Sequence, residues 1–295
     1  MRMDNERESR NVEDRRSSTG RRRGRMPSMG TIMMVWPFVK PLLRTKFGWA
    51  VIAVAAVAYF SGFNPLSLIG MSGGASKPIN EIADEREAVF IKKVLTSTEE
   101  VWNDVLPKYH MRYQEPVMVL YRASTRSGCG YADAQMGPFY CPVDRKVYLD
   151  LGFFDELANR HNAAGDFAQA YVLSHEIGHH IQNMQGTLEK VQRLKQRWGE
   201  GSSRSNALQV KVELQADCYA GVWAKYAHVK FNLVEAGDIE EALRAASSIG
   251  DDKLQKEATG YVRPDGFTHG SSAQRVEWFK RGFTSGDLGQ CDTFN

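Results

Sequence analysis

Apolar and polar positions change rhythm several times along the chain, and the changes mark its parts. The first 25 residues are rich in Arg, Ser and Glu with few apolar positions, and residues 1–46 are expected to form a disordered, Arg-rich leader. From Phe47 to Ser76 no residue is charged. The run Gly48 to Phe63 (GWAVIAVAAVAYFSGF) is almost wholly apolar, and Leu66 to Met71 extends it. A bilayer needs ~20 such residues, so residues 47–71 are expected to form a transmembrane helix. Lys40, Arg44 and Lys46 precede it, which places the N-terminus in the cytoplasm and the rest outside. A cleaved signal peptide is the rival reading, but its basic region would be long and no A-x-A site follows. Residues 72–82, with SGGASKP, read as a linker, and the folded domain is expected over residues 83–295.

Within that domain, Ala170, Leu173, Ile177, Ile181 and Met184 recur at helical spacing, predicting a largely buried helix from Asp166 to Gly186. Asp166 with Gln169 suggests a capping box, and Gly186 a C-cap. A second helical stretch runs over residues 205–228 (SNALQVKVELQADCYAGVWAKYAH). The segments VMVLYR (117–122) and KVYLDL (146–151) have strand character. These elements predict an α+β domain, mostly helical with a small sheet, preceded by one membrane helix.

Composition narrows the function. Of 295 residues, 42% are hydrophobic and 25% charged, ordinary for a globular protein. The net charge of +3 is concentrated in the leader, with arginines at 2, 7, 10, 15, 16, 21, 22, 23 and 25. The remainder is mildly acidic, so no nucleic-acid partner is expected for the folded part. Four cysteines, Cys129, Cys141, Cys218 and Cys291, suit two disulfides in an exported domain and allow three pairings. Joining Cys129 to Cys141 would close a short Gly-rich loop and leave Cys218 for Cys291.

The first helix carries His175-Glu176-Ile177-Gly178-His179. Histidines four apart project from one face, one turn apart, so both imidazoles can reach one zinc ion. Glu176, beside the first ligand, can reach a water on the metal and take its proton. A third ligand is required, and Glu213 on the second helix supplies a carboxylate. Asp217, one turn on, can accept a hydrogen bond from the far nitrogen of a ligand histidine. Both carboxylates sit among apolar neighbours and need partners there. His180 lies about 100° round the helix from His179 and is not expected to bind metal.

HEIGHH followed by ELQADC resembles the gluzincin pattern, with a third ligand Glu on a later helix. The set GPFYCPVDRKVYLD, GDFAQAYVLSHEIGHHIQ, ELQADCYAGVWA, IGDDKLQ and THGSSAQRVEWF resembles the bacterial neutral zinc metallopeptidase family across roughly residues 80 to 295. The resemblance implies a zincin-like fold and zinc-dependent cleavage of a peptide or protein substrate. Together with the apolar run and its basic flank, this points to a single-pass anchor in lipid at the bacterial inner membrane, with the catalytic domain periplasmic or extracytoplasmic. His269, ahead of a helix opened by Ser271 and Gln274, is expected to assist the oxyanion, and Arg275 to position substrate or a carboxylate. By fold analogy, Lys146 to Leu151 is the edge that pairs with an extended substrate. A non-catalytic binding or scaffolding protein that keeps its metal for stability is the alternative. Glu176 argues against it, because a structural site needs no carboxylate beside its first ligand.

Overall fold

Six strands and eight helices frame the described part of the chain. The structure, a computed structural model, describes residues 1–17, 81–133, 136–161 and 163–295. Strand β1 is Val12–Asp14, and helix α1 is Glu81–Val105. Strands β2 (Val117–Tyr121), β3 (Ser124–Ser127), β4 (Gly130–Asp133), β5 (Phe139–Cys141) and β6 (Lys146–Asp150) follow. Then come α2 (Gly152–Asn159), α3 (Asp166–Met184), α4 (Thr187–Trp198), α5 (Ser203–Val229), α6 (Asp238–Ser248), α7 (Asp251–Thr259) and α8 (Ser272–Ser285).

One sheet has the order β1-β2-β6-β5, with β5 antiparallel to β6 and the other pairs parallel; β3 and β4 form a separate hairpin. Strands β2 and β6 are apolar on both faces because both faces are covered. Met118, Leu120, Val147 and Leu149 enter the main core, while Val119, Tyr121 and Tyr148 pack with Cys141 on the other side. The expected strands are therefore present, but Lys146–Asp150 is interior. It pairs with β2 along its whole length and with β5 at Lys146, Val147 and Tyr148, so it is not an edge strand. The outer strand on that side is β5, whose outer edge is unpaired among the described residues.

Helix α3 runs through the core and α5 packs along it. Their contact is close because of Gly178: a β-carbon there would stand 3.0 Å from the Ala216 backbone. Helix α8 crosses α5 at Gly221 and Gly282, where any β-carbon would overlap the opposing backbone. Phe167 stacks on Trp223 with centroids 5.7 Å apart beneath α3. The expected capping box at Asp166 does not form. Gly165, at φ 138, is the N-cap and has no side-chain cap, while Gly186 adopts φ 73 just past the helix end. The box at Ser271 and Gln274 does form, with both hydrogen bonds present.

The leader departs from expectation. Residues 1–17 pack with 81–295 as one unit. Val12 registers with Met118 and Asp14 with Leu120. Met3 and Ser9 are buried, and Ser9 and Asn11 both reach the buried Glu99 carboxylate, at 2.5 and 2.8 Å. Arg16 pairs with Asp84 at 2.7 Å. The arm is held by backbone pairing and charge rather than apolar area, which is why its composition resembles disorder. Residues 1–17, expected as part of a disordered leader, thus fold with the domain. The predicted membrane helix at 47–71 and the leader beyond residue 17 fall outside the described residues. Among those described, no helix is long and apolar enough to cross a membrane.

Candidate metal centre

Three side chains meet where α3 and α5 approach. Glu213 Oε2 lies 3.2 Å from His175 Nε2 and 3.4 Å from His179 Nε2. Donors bound to zinc at ~2.0–2.1 Å in tetrahedral geometry stand about 3.3 Å apart, so this spacing fits such an ion. The potential ligand atoms of the three residues all fall within 4.8 Å of one another. Two imidazoles and one carboxylate suit a borderline-soft divalent cation.

Each donor is held from behind. His175 Nδ1 donates to Asp217 at 2.8 Å, and His179 Nδ1 donates to Gln182 Oε1 at 2.9 Å. Both rings thus turn Nε2 inward. Gln209 donates to the outer oxygen of Glu213 at 2.8 Å, leaving the inner one for the histidines. Asp217 is fully buried and takes four donors: Tyr171 at 2.5 Å, His175, and Arg275 Nε and Nη2 at 2.9 and 3.0 Å. Arg275 therefore positions a carboxylate, one of the two roles expected of it. A buried carboxylate needs such compensation.

The electrostatics favour positive charge at this point. Burial opposes charging His175, but Asp217 and Glu213 outweigh it and raise its pKa to about 10. Burial opposes charging His179 too, and Glu213 reverses that as well. Burial would raise Glu213, yet the two histidines hold it well below the usual carboxylate range. Asp217 falls to about 2 because Arg275 and His175 overcome its burial. A divalent cation can take the place of the protons these groups otherwise share.

A cleft of about 1170 Å³ opens on the donors, and Glu176 and His269 line it with them. Glu176 is 7% exposed, and among the described residues no hydrogen bond or ion pair engages its carboxylate. His269 stands at the rim, half exposed, with Nδ1 3.2 Å from Asp251 Oδ1. That hydrogen bond is the main cause that raises the His269 pKa. Asp251 Oδ2 accepts the backbone N–H groups of Thr268, His269 and Gly270, so it fixes the whole loop. His180 faces away from the donors. Its Nε2 donates to the Gln114 carbonyl and its Nδ1 accepts from the Tyr140 hydroxyl at 3.0 Å. Asn183 reaches the same hydroxyl at 2.9 Å, so α3 holds β5 as the cleft wall. Burial lowers the His180 pKa to about 4, keeping it neutral in this role.

Two disulfides join Cys129 to Cys141 and Cys218 to Cys291. The first ties β5 to the turn before β4; the second ties the C-terminal segment to α5. Sequence reasoning missed Tyr171, Gln182, Gln209 and Asp251. Gln182 carried a usable signal, as a polar residue one turn past His179 on a buried helix. Asp251 carried none, since it reaches His269 only through the fold.

Comparison with known proteins agrees with this geometry. The chain is 44% identical over 301 residues to "Uncharacterized protein YpfJ" of Escherichia coli (strain K12), covering 100% of this chain and 99% of that protein. It is 41% identical over 225 residues to "Uncharacterized protein Rv2575" of Mycobacterium tuberculosis (strain ATCC 25618 / H37Rv), covering 72% and 73% respectively. No solved structure matches. Residues 1–294 match the family described as "Putative neutral zinc metallopeptidase", so the leader arm is included in the match. The chain belongs to that family.

Proposed function

We propose that this protein is a zinc-dependent peptidase acting on extended segments of polypeptide. The reading rests on one observation: three metal donors at zinc spacing, with an unengaged carboxylate beside them in an open cleft. A zinc ion held by His175, His179 and Glu213 supplies Lewis acidity and an acidified water. Glu176 accepts the proton of the attacking water and passes it to the leaving amine. His269, steadied by Asp251, donates a hydrogen bond to the oxygen on which charge develops. Asp217 keeps the proton on the outer nitrogen of His175 and cancels the charge of Arg275. The outer edge of β5 offers backbone groups to an extended substrate, replacing the edge expected from sequence.

The domain works outside the cytoplasm, where its disulfides persist. It meets the membrane through residues 47–71, with residues 1–17 on the same side as the domain. The test is cleavage of a denatured protein by the full-length chain and by Glu176→Gln, with zinc content measured in both. Cleavage by the first alone, with equal zinc, supports the reading. Equal zinc with neither active favours a metal-stabilised scaffold.

A further inference from the structure

The two ligand histidines are held by different chemistry. His175 leans on a carboxylate, which accepts hydrogen bonds whichever oxygen is offered. His179 leans on Gln182, and an amide is ambiguous: its oxygen accepts, its nitrogen donates, and the two ends have nearly the same shape. Turned one way, Gln182 accepts from Nδ1–H of His179 and leaves the lone pair on Nε2 for the metal. Turned the other way, it would donate to Nδ1, and the hydrogen on Nε2 would stand where the ion must bind.

The fold removes the ambiguity. Gln182 Nε2 donates to the Val212 carbonyl at 2.7 Å and to Gln215 Oε1 at 3.0 Å, which uses both of its hydrogens. Gln215 is turned by the same logic, because its Nε2 donates to the Cys291 carbonyl at 3.0 Å. Backbone carbonyls only accept, so each fixes the amide that faces it. Flipping Gln182 would set its oxygen against two acceptors, the Val212 carbonyl and Gln215 Oε1, if Gln215 held its place. Gln182 is fully buried and Gln215 is 7% exposed, so water does not readily replace a lost partner. Cys291 is itself fixed, by its disulfide to Cys218 and by Thr293, which donates to the Lys211 carbonyl at 2.6 Å.

We propose that Gln182 and Gln215 are positioning residues that form a one-way hydrogen-bond relay from the Cys291 carbonyl to His179, setting which ring nitrogen carries the proton and keeping the Nε2 lone pair free for the metal. The inference rests on the metal reading above and deepens it. The relay also gives the C-terminal segment a part in the site, although it touches no ligand. Val212 immediately precedes Glu213, so Gln182 also sets the height of α5, which carries the third ligand, against α3. Because Val212 alone still orients Gln182, the influence of Gln215 is the smaller.

The test uses the full-length chain, with zinc affinity measured by chelator competition and the visible spectrum recorded with Co²⁺ in place of zinc. Gln182→Leu is expected to weaken zinc binding on the order of 10–100-fold, the usual cost of losing a ligand's outer partner. Gln215→Leu is expected to weaken it less, roughly 3–10-fold on the same scale, with a broadened Co²⁺ spectrum. Should Gln182→Leu fail to fold, Gln215→Leu carries the test, because its side chain touches neither histidine nor Glu213. Folded variants that bind zinc within twofold of wild type, with unchanged Co²⁺ spectra, overturn the relay and leave the metal reading standing. A folded wild type that binds no zinc overturns both.

Discussion

The two edges of the four-stranded sheet are closed by different means. At the β5 edge, Tyr140 is held by His180 and Asn183 of the metal helix, and a disulfide ties Cys141 to Cys129. Among the described residues this edge stays open along its outer side, and it borders the cleft. At the other edge, β1 covers β2 with three residues, and charge does most of the holding: Arg16 on Asp84, and Asn11 and Ser9 on Glu99. The first edge is built around chemistry and keeps its backbone available. The second spends its backbone on closure and fixes the N-terminal arm to the domain. Substitutions at the cleft side should therefore cost function first, and those at the arm side stability first.

The sharpest separation is expected from Glu176→Gln. Peptide cleavage should fall on the order of 10²–10⁴-fold with zinc content and melting temperature unchanged. A variant that kept full activity would move the general base elsewhere. Next, Asp217→Ala should destabilise by about 3–5 kcal/mol in urea unfolding, because it leaves Arg275 buried without its counter-charge. Zinc affinity should fall with it.

On the arm side, removing residues 1–17 should cost about 3 kcal/mol. It opens the edge of β2 and strips the buried Glu99 of Ser9 and Asn11. Turnover per folded molecule should hardly change. A cysteine placed at Glu6 and another at Glu257 should react with an impermeant maleimide from the same side of the membrane. Labelling from opposite sides would contradict the packing of the arm.

The smallest effect concerns Glu87, whose pKa burial raises to about 7 against the pull of Arg122. A carboxyl raised in the folded state adds stability that is complete below its ordinary pKa of 4.5 and is lost as pH rises through 7. Glu87→Gln should therefore gain on wild type by about 2 kcal/mol between pH 5 and pH 8, read from urea midpoints. A constant difference across that range would show that Glu87 titrates normally.

What was legible in the sequence follows the same division. Helices α3 and α5 announced themselves through apolar spacing. His175, His179, Glu213 and Asp217 stood out because charged or metal-binding groups on buried faces need partners. Local periodicity also marked β2 and β6. Their neighbours could not be read, since sheet order depends on contacts distant in sequence, and β6, expected as an edge, is an interior strand. The arm was illegible for a different reason. Its few apolar residues signal no core, and its order depends on acceptors more than 60 residues away, as with Arg16 and Asp84. Gln182 and Asp251 show the same limit within the site: each is an ordinary polar residue until the fold supplies its partner.

Zinc stoichiometry of the full-length chain, wild type against Glu213→Ala, tests the central claim most directly. Two helices bringing His175, His179 and Glu213 to one point predict close to one zinc per wild-type chain and almost none in the variant, with helical content the same in both. A folded wild type without zinc, or a variant that keeps its full complement, would contradict the account.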